Sequence, residues 1–315
     1  MKIFIVLLML MAAGGLCLAT DGVRLEGFDY PYPVQVFQFT SQKQHLEMAY
    51  MDVRPTNAEA DTVVLLHGKN FSGAYWGETA AALQKSGFRV IIPDAIGFGK
   101  SSNPQSYQFS FGQLASNLHE LLHSCGVKQA QIVGHSMGGM IATRYALMYP
   151  TETKTLVLAD PIGLEDWQAK GVPYVPVDKN YQNELKQTPE TIRSYERENY
   201  YHGEWRPEYD RWVDMVVRFQ QSTNYPLMAW DQALASDMIF TQPVCHEFKN
   251  LKMPVLLIIG QADRTAIGKE QASAEVKKTL GDYPKLGRDA AAIIPAAKLV
   301  ELDGIGHLPQ VEAFP

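Results

Sequence analysis

From Val34 onward the apolar positions fall into short runs of two kinds. Val34 to Phe39 and Leu46 to Val53 alternate, and read as paired strands across a polar turn at Ser41 to Gln44. Thr62 to Leu66, Phe88 to Ile92, Gln131 to Val133, Thr155 to Leu158, Val255 to Ile259 and Lys298 to Leu302 are compact buried-strand patterns. Between them lie helical stretches around Ala80 to Leu83, over Met137 to Met148 and near Lys269 to Leu280. A further helix over Ser110 to Ser124 sets Leu114, Leu118, Leu121 and Leu122 on one face, and Gly126 ends it. Strands alternating with helices predict a parallel sheet covered on both faces, an α/β fold. Residues 161 to about 250 break this rhythm. They lack short strand runs and hold Trp167, Trp205, Trp212 and Trp230, four of the five tryptophans. The economical organisation is one sheet domain, 20–160 and 254–315, interrupted by a helical insertion at 161–253.

The first residues belong to a different pattern. Met1-Lys2 is a short positive start, Ile3 to Met11 is apolar, and Ala12 to Ala19 is rich in small residues. That three-part plan predicts a signal peptide at 1–19, cut ahead of Thr20, and a periplasmic or secreted protein. The apolar run is short for a bilayer span, so no membrane attachment is expected after cleavage. With 315 residues and a net charge of −6, the chain has length for a large core and no basic field for nucleic acid. Once Cys17 leaves with the signal, Cys125 and Cys245 remain. One disulfide is arithmetically open, and two free buried thiols are the simpler expectation.

Chemistry enters at Gly134-His135-Ser136-Met137-Gly138, a G-x-S-x-G pattern between a predicted strand and a predicted helix. A serine on so sharp a turn needs glycine neighbours, and the helix start offers an N–H to a developing oxyanion. The hydroxyl also needs a base. Of eight histidines, His307 stands in a glycine-flexed loop after the last strand run, at the carboxyl edge where Ser136 lies. His135 adjoins the serine and reads as a packing residue, and His67 as a turn-shaping one. Asp263, after the Val255 to Ile259 run, is the expected acid, with Asp160 as its rival. The order serine, acid, histidine is that of the nucleophile-elbow hydrolases. A competing motif is His119-Glu120-Leu121-Leu122-His123, H-E-x-x-H on a helix, the zinc pair and base of metalloproteases. Its leucines already mark the buried face, Gly126 stops the helix, and Gln129 occupies the third-histidine position, so two surface histidines are expected instead.

On these motifs the chain resembles the α/β-hydrolase-fold serine hydrolases, from about residue 60 to the end. The resemblance implies an oxyanion hole from the backbone N–H groups of Lys69, after His67-Gly68, and of Met137. It makes Asp94-Ala95-Ile96-Gly97-Phe98-Gly99-Lys100-Ser101 a structural turn and residues 161–253 a cap inserted after the sixth strand. Ser136 sets the chain apart from the branches that place aspartate there. Two departures stand out: the sequence stops eight residues after His307, where the family adds a helix, and 43 residues separate Asp263 from His307, implying an extra helical excursion. The implied activity is acyl transfer to water, as a carboxylesterase or lactonase with no cofactor and no metal. Carbon–carbon hydrolysis of a diketone and a ligand-sensing binder are the alternatives. Trp205, Tyr209 and Trp212 recur at helical spacing in the insertion and are expected to pack between cap and sheet. Because the insertion sits at the carboxyl edge, part of its aromatic surface should still roof the pocket, so a small-molecule substrate with an apolar or aromatic acyl group is expected. The Lys69 side chain is expected to face solvent.

Overall fold

The computed structural model describes residues 23–56 and 60–314. The expected signal peptide lies outside the described residues. Eight strands form one sheet: β1 (Val34–Ser41), β2 (Gln44–Val53), β3 (Thr62–Leu66), β4 (Arg89–Pro93), β5 (Ala130–Ser136), β6 (Thr153–Pro161), β7 (Val255–Gly260) and β8 (Ala297–Leu302). Their spatial order is β1-β2-β4-β3-β5-β6-β7-β8. β2 runs antiparallel to β1 and β4, and the remaining pairs are parallel. After β4 the order reverses across β3, so the loops following β3 and β5 meet at the carboxyl edge, where such sheets bind ligands.

Strand periodicity divides the interior. Val64 and Leu66 of β3 join one apolar layer, and Val63 and Leu65 join the other. The first layer is closed by α2 (Phe111–Ser124), α3 (Met137–Met148) and α9 (Tyr283–Ile293). The second takes Ala80 of α1 (Gly77–Lys85) and the rings of Tyr75 and Trp76. Local signals match these elements. The Ser110 hydroxyl accepts the Gln113 N–H at the start of α2, and Gly126 beyond its end has φ +73°.

Between β6 and β7 the chain builds α4 (Val177–Glu184), α5 (Pro189–Asn199), α6 (Asp210–Gln220) and α7 (Tyr225–Thr241). The expected aromatic helix stripe is corrected here. Trp205 lies in the loop between α5 and a 3-10 turn, Tyr209 ends that turn, and only Trp212 lies in α6. Pro207 starts that turn and interrupts the 3.6-residue spacing. All three rings pack in the second apolar layer.

The helix expected near Lys269 to Leu280 is also corrected. That stretch holds one 3-10 turn, Lys269–Gln271, and one turn of helix, α8 (Ala274–Lys277). The full helix is α9, launched by the Asp282 carboxylate accepting the Lys285 N–H, with Pro284 in the first turn. It packs on β7 and β8. After His307 comes the short α10 (Pro309–Glu312). Cys125 and Cys245 are both free and partly buried.

Candidate active site

β5 runs directly into α3, and Ser136 is the hinge. Its φ of +54° is a conformation a side chain rarely adopts, held by the elements on either side. A Cβ on Gly134 would stand 2.2 Å from the Gly138 carbonyl oxygen, and one on Gly138 would stand 2.3 Å from that of Leu66. The glycines of the motif therefore answer to backbone approach, as the spacing predicts.

The structure brings Ser136, His307 and Asp263 together. The Ser136 hydroxyl lies 3.0 Å from His307 Nε2, and His307 Nδ1 lies 2.7 Å from Asp263 Oδ2. The other Asp263 oxygen accepts the Thr265 N–H at 2.8 Å. Asp160, the rival acid, turns away and accepts the Gly260 N–H. Burial, then the neighbouring Asp263 charge, push the Asp160 carboxyl well above the usual range.

His307 is mounted by its backbone as well as its ring. Glu312 accepts the N–H groups of Gly306 and Leu308, each at 3.1 Å, and so straddles the histidine. The His307 N–H itself donates to the Tyr200 carbonyl at 2.7 Å. Its carbonyl lies 2.7 Å from His135 Nε2. That last contact belongs to a buried series with one proton order. The Gly68 N–H donates to the Tyr75 hydroxyl at 3.0 Å, leaving that hydroxyl's proton for His135 Nδ1 at 2.8 Å. His135 Nε2 then carries the hydrogen that the His307 carbonyl accepts. Burial, followed by the nearby His307, holds His135 well below the ordinary imidazole range, so it stays neutral. His135 is thus more than a packing residue: it couples Gly68 to the His307 backbone.

Asp94 organises the turn that follows β4. It accepts the N–H groups of Gly73 and Lys100 and the Tyr30 hydroxyl. The Ser101 hydroxyl donates back to the Asp94 carbonyl. The turn is structural, as the resemblance implies. His67 Nε2 accepts the Ala95 N–H, so it shapes the same corner.

Over Ser136 opens a cavity of about 480 Å³. Ile162, Ile192, Val216 and Ile267 line it, with Tyr195 and Tyr200 from the insertion. Lys69, Asn70, Thr191 and Thr265 give the wall polar points. The insertion's aromatic contribution comes from these two tyrosines; Trp205 and Trp212 are absent from the lining.

A family profile described as alpha/beta hydrolase fold matches residues 61–314. The chain is an α/β hydrolase. Lipase 1 of Psychrobacter immobilis is 31% identical to the hydrolase over 266 residues, 82% of this chain and 74% of that one. Lipase 3 of Moraxella sp. (strain TA144) is 30% identical over 297 residues, 89% of this chain and 84% of that one. The crystal structure of a probable hydrolytic enzyme from Pseudomonas aeruginosa PAO1 superposes on it with TM-score 0.91 at 54% identity. That match covers 93% of this chain and 94% of the other.

Two expectations remain to be placed on the hydrolase. The Lys69 side chain does not face open solvent. Its Nζ lies 2.9 Å from Glu184 Oε1 at the end of α4, with both side chains largely buried. The competing H-E-x-x-H motif lies on the outer side of α2. His119 bonds Glu152 and stacks on Tyr149, while Glu120 and His123 are exposed. Among the described residues no cluster of three His, Cys, Asp or Glu side chains could hold a metal ion. The sequence carried no signal for Tyr75, Tyr200 or Glu312, whose contributions depend on where distant loops meet.

Proposed function

We propose that this hydrolase cleaves carboxylic esters of small acyl substrates, lactones included, through an acyl-enzyme on Ser136. The supporting observation is the buried series Ser136 Oγ, His307 Nε2, His307 Nδ1, Asp263 Oδ2, at 3.0 and 2.7 Å. As Ser136 attacks the carbonyl carbon, His307 takes its proton and Asp263 holds the imidazole in the required tautomer. The carbonyl electrons move onto oxygen, toward the N–H groups of Lys69 and Met137. Met137 opens α3, where a helix leaves its first N–H groups without intrahelical partners. Gly68 places the preceding loop close by, since a Cβ on it would stand 2.9 Å from Ser136 Cβ. The tetrahedral adduct collapses with loss of the alcohol, which receives the proton from His307. Water then repeats the sequence on the acyl-enzyme, giving the acid and restoring Ser136. The helices between β6 and β7 act as a cap that encloses the acyl group. Similarity to two lipases supports ester hydrolysis over other reactions of the fold.

A fluorophosphonate, which mimics the tetrahedral adduct, tests this reading. It should label Ser136 stoichiometrically, and Ser136→Ala should lose both labelling and hydrolysis of aryl esters. Ester turnover by Ser136→Ala, or chelator-sensitive turnover with Ser136 unlabelled, would overturn it. Export directed by residues 1–19 belongs to the same proposal. A mature chain beginning at Thr20 in the periplasmic fraction is the expected result, and an intact Met1 in the cytoplasm the opposing one.

A further inference from the structure

Tyr200 follows α5, in the insertion, yet it meets both halves of the site. Its carbonyl accepts the His307 N–H at 2.7 Å. Its ring lies over the His307 imidazole, with centroids 4.9 Å apart and planes 28° from parallel. Its hydroxyl lies 3.4 Å from Asn70 Nδ2, one residue beyond Lys69. The ring is itself confined, edge-on to Tyr195 at 5.4 Å and tilted against Phe71 at 6.0 Å. Tyr200 is only 5% exposed. A ring so held is an unusual neighbour for a general base, because the base becomes a cation as Ser136 loses its proton. An aromatic face attracts a cation beside it, more strongly where water is excluded.

We propose that Tyr200 is a positioning residue for His307, carrying its backbone on a carbonyl and stabilising the imidazolium against an aromatic face. The proposal rests on His307 being the base of Ser136. The other groups facing the imidazole are accounted for. Asp263 holds Nδ1, neutral His135 lies 4.9 Å away at a tilt, and Tyr283 is edge-on at 6.3 Å. Glu312 is engaged by the loop N–H groups, and Asp160 stands behind Asp263, bonded to Gly260. None of these presents a parallel ring. The insertion therefore contributes to the base itself as well as to the cavity wall.

The decisive experiment changes the ring's electrons while keeping its size. Tyr200→Phe should retain the rate within about twofold, because the face and the carbonyl both remain. Replacing position 200 with phenylalanines of increasing fluorination weakens the negative face stepwise. Across that series kcat should fall about tenfold in total, with KM changing less, and the acid limb of the pH–rate profile should move to lower pH. Tyr200→Leu should match the most fluorinated ring. Ser136→Ala is measured alongside. A flat fluorination series with Ser136→Ala inactive overturns the Tyr200 proposal alone, and an active Ser136→Ala overturns it together with the reading of the base.

Discussion

At Ser136 the backbone sits at φ +54°, and nothing in the serine favours that angle. The surrounding bonds hold it, and the most informative of them pass through Tyr75 and His135. Tyr75 is fully enclosed, its hydroxyl accepting from Gly68 and donating to His135. Tyr75→Phe removes both bonds and leaves the Gly68 N–H and His135 Nδ1 buried without partners. Such orphaned groups cost about 1–3 kcal/mol, so the variant should lose stability of that order in chemical denaturation. It should also lower kcat, because Gly68 precedes the proposed oxyanion donor. Asp263→Asn isolates the other end of the site. It keeps the shape but favours the wrong His307 tautomer, and should lower kcat by on the order of 10⁴ in single-turnover assays. The elbow, His307 and Asp263 were legible in the sequence because each follows a strand and lies at the edge where parallel strands deliver their loops. Tyr75, His135 as a coupling residue, and Glu312 were not. Their value comes from backbone atoms of residues far along the chain, which side-chain pattern does not encode.

Elements show the same division between local and non-local information. α2 and α3 were readable to within a residue, since leucine periodicity, Ser110 and Gly126 act within a few positions of one another. The segment 269–280 carries charged and apolar residues that suit a helix locally, yet it forms no continuous helix. Ala272 and Ser273 are extended, with ψ of 154° and 158°, and divide the stretch into two single turns, while the signal at Asp282-Tyr283-Pro284 begins α9. In the insertion, Pro207 divides what spacing alone joins into one aromatic helix. The Lys69–Glu184 pair ties the loop after β3 to the end of α4. The Tyr225 hydroxyl donates to the Glu184 carbonyl, and Gln187 donates to its second carboxylate oxygen. Breaking a largely buried pair by removing one partner leaves the other charge uncompensated, at about 3–5 kcal/mol. Lys69→Met should therefore loosen α4, seen as faster backbone hydrogen exchange over 177–184, and should raise KM for aryl esters. Unchanged exchange there would mean that the pair does not hold α4.

For the whole molecule, buried carboxyl groups shape the response to pH, with Glu196 and Asp231 of the insertion and Asp160 of β6 among them. Glu196 of α5 and Asp231 of α7 are buried, and no side-chain oxygen of either has a hydrogen-bond partner among the described residues. Burial pushes the Glu196 carboxyl up to about 8, opposed weakly by Arg193, and pushes Asp231 to about 8 as well. Both are protonated in the folded protein at neutral pH, whereas the unfolded chain ionises them near pH 4. Between these limits the folded state binds more protons than the unfolded one, so stability falls as pH rises. The slope is at most about 1.4 kcal/mol per pH unit for each group, and it ends once both ionise above about pH 8. Carboxylates held low by partners act the other way and at lower pH. Asp52 with Arg89, and Glu47 with Arg24, contribute stability that is present above their unfolded pKa and lost as pH falls through the folded one. The buried neutral imidazoles of His135 and His67, protonated in the unfolded chain below about pH 6.5, offset that decline at lower pH. Stability should therefore fall most clearly between about pH 7 and pH 8. Denaturation midpoints at pH 5, 6, 7 and 8 measure the decline. Glu196→Gln with Asp231→Asn removes both titrations, so the double variant should show a shallower decline, Asp160 carrying part of the remainder, and be more stable than the parent at pH 8. A decline as steep in the double variant as in the parent would assign it to other groups, with Asp160, whose carboxyl is also raised by burial, first to be replaced.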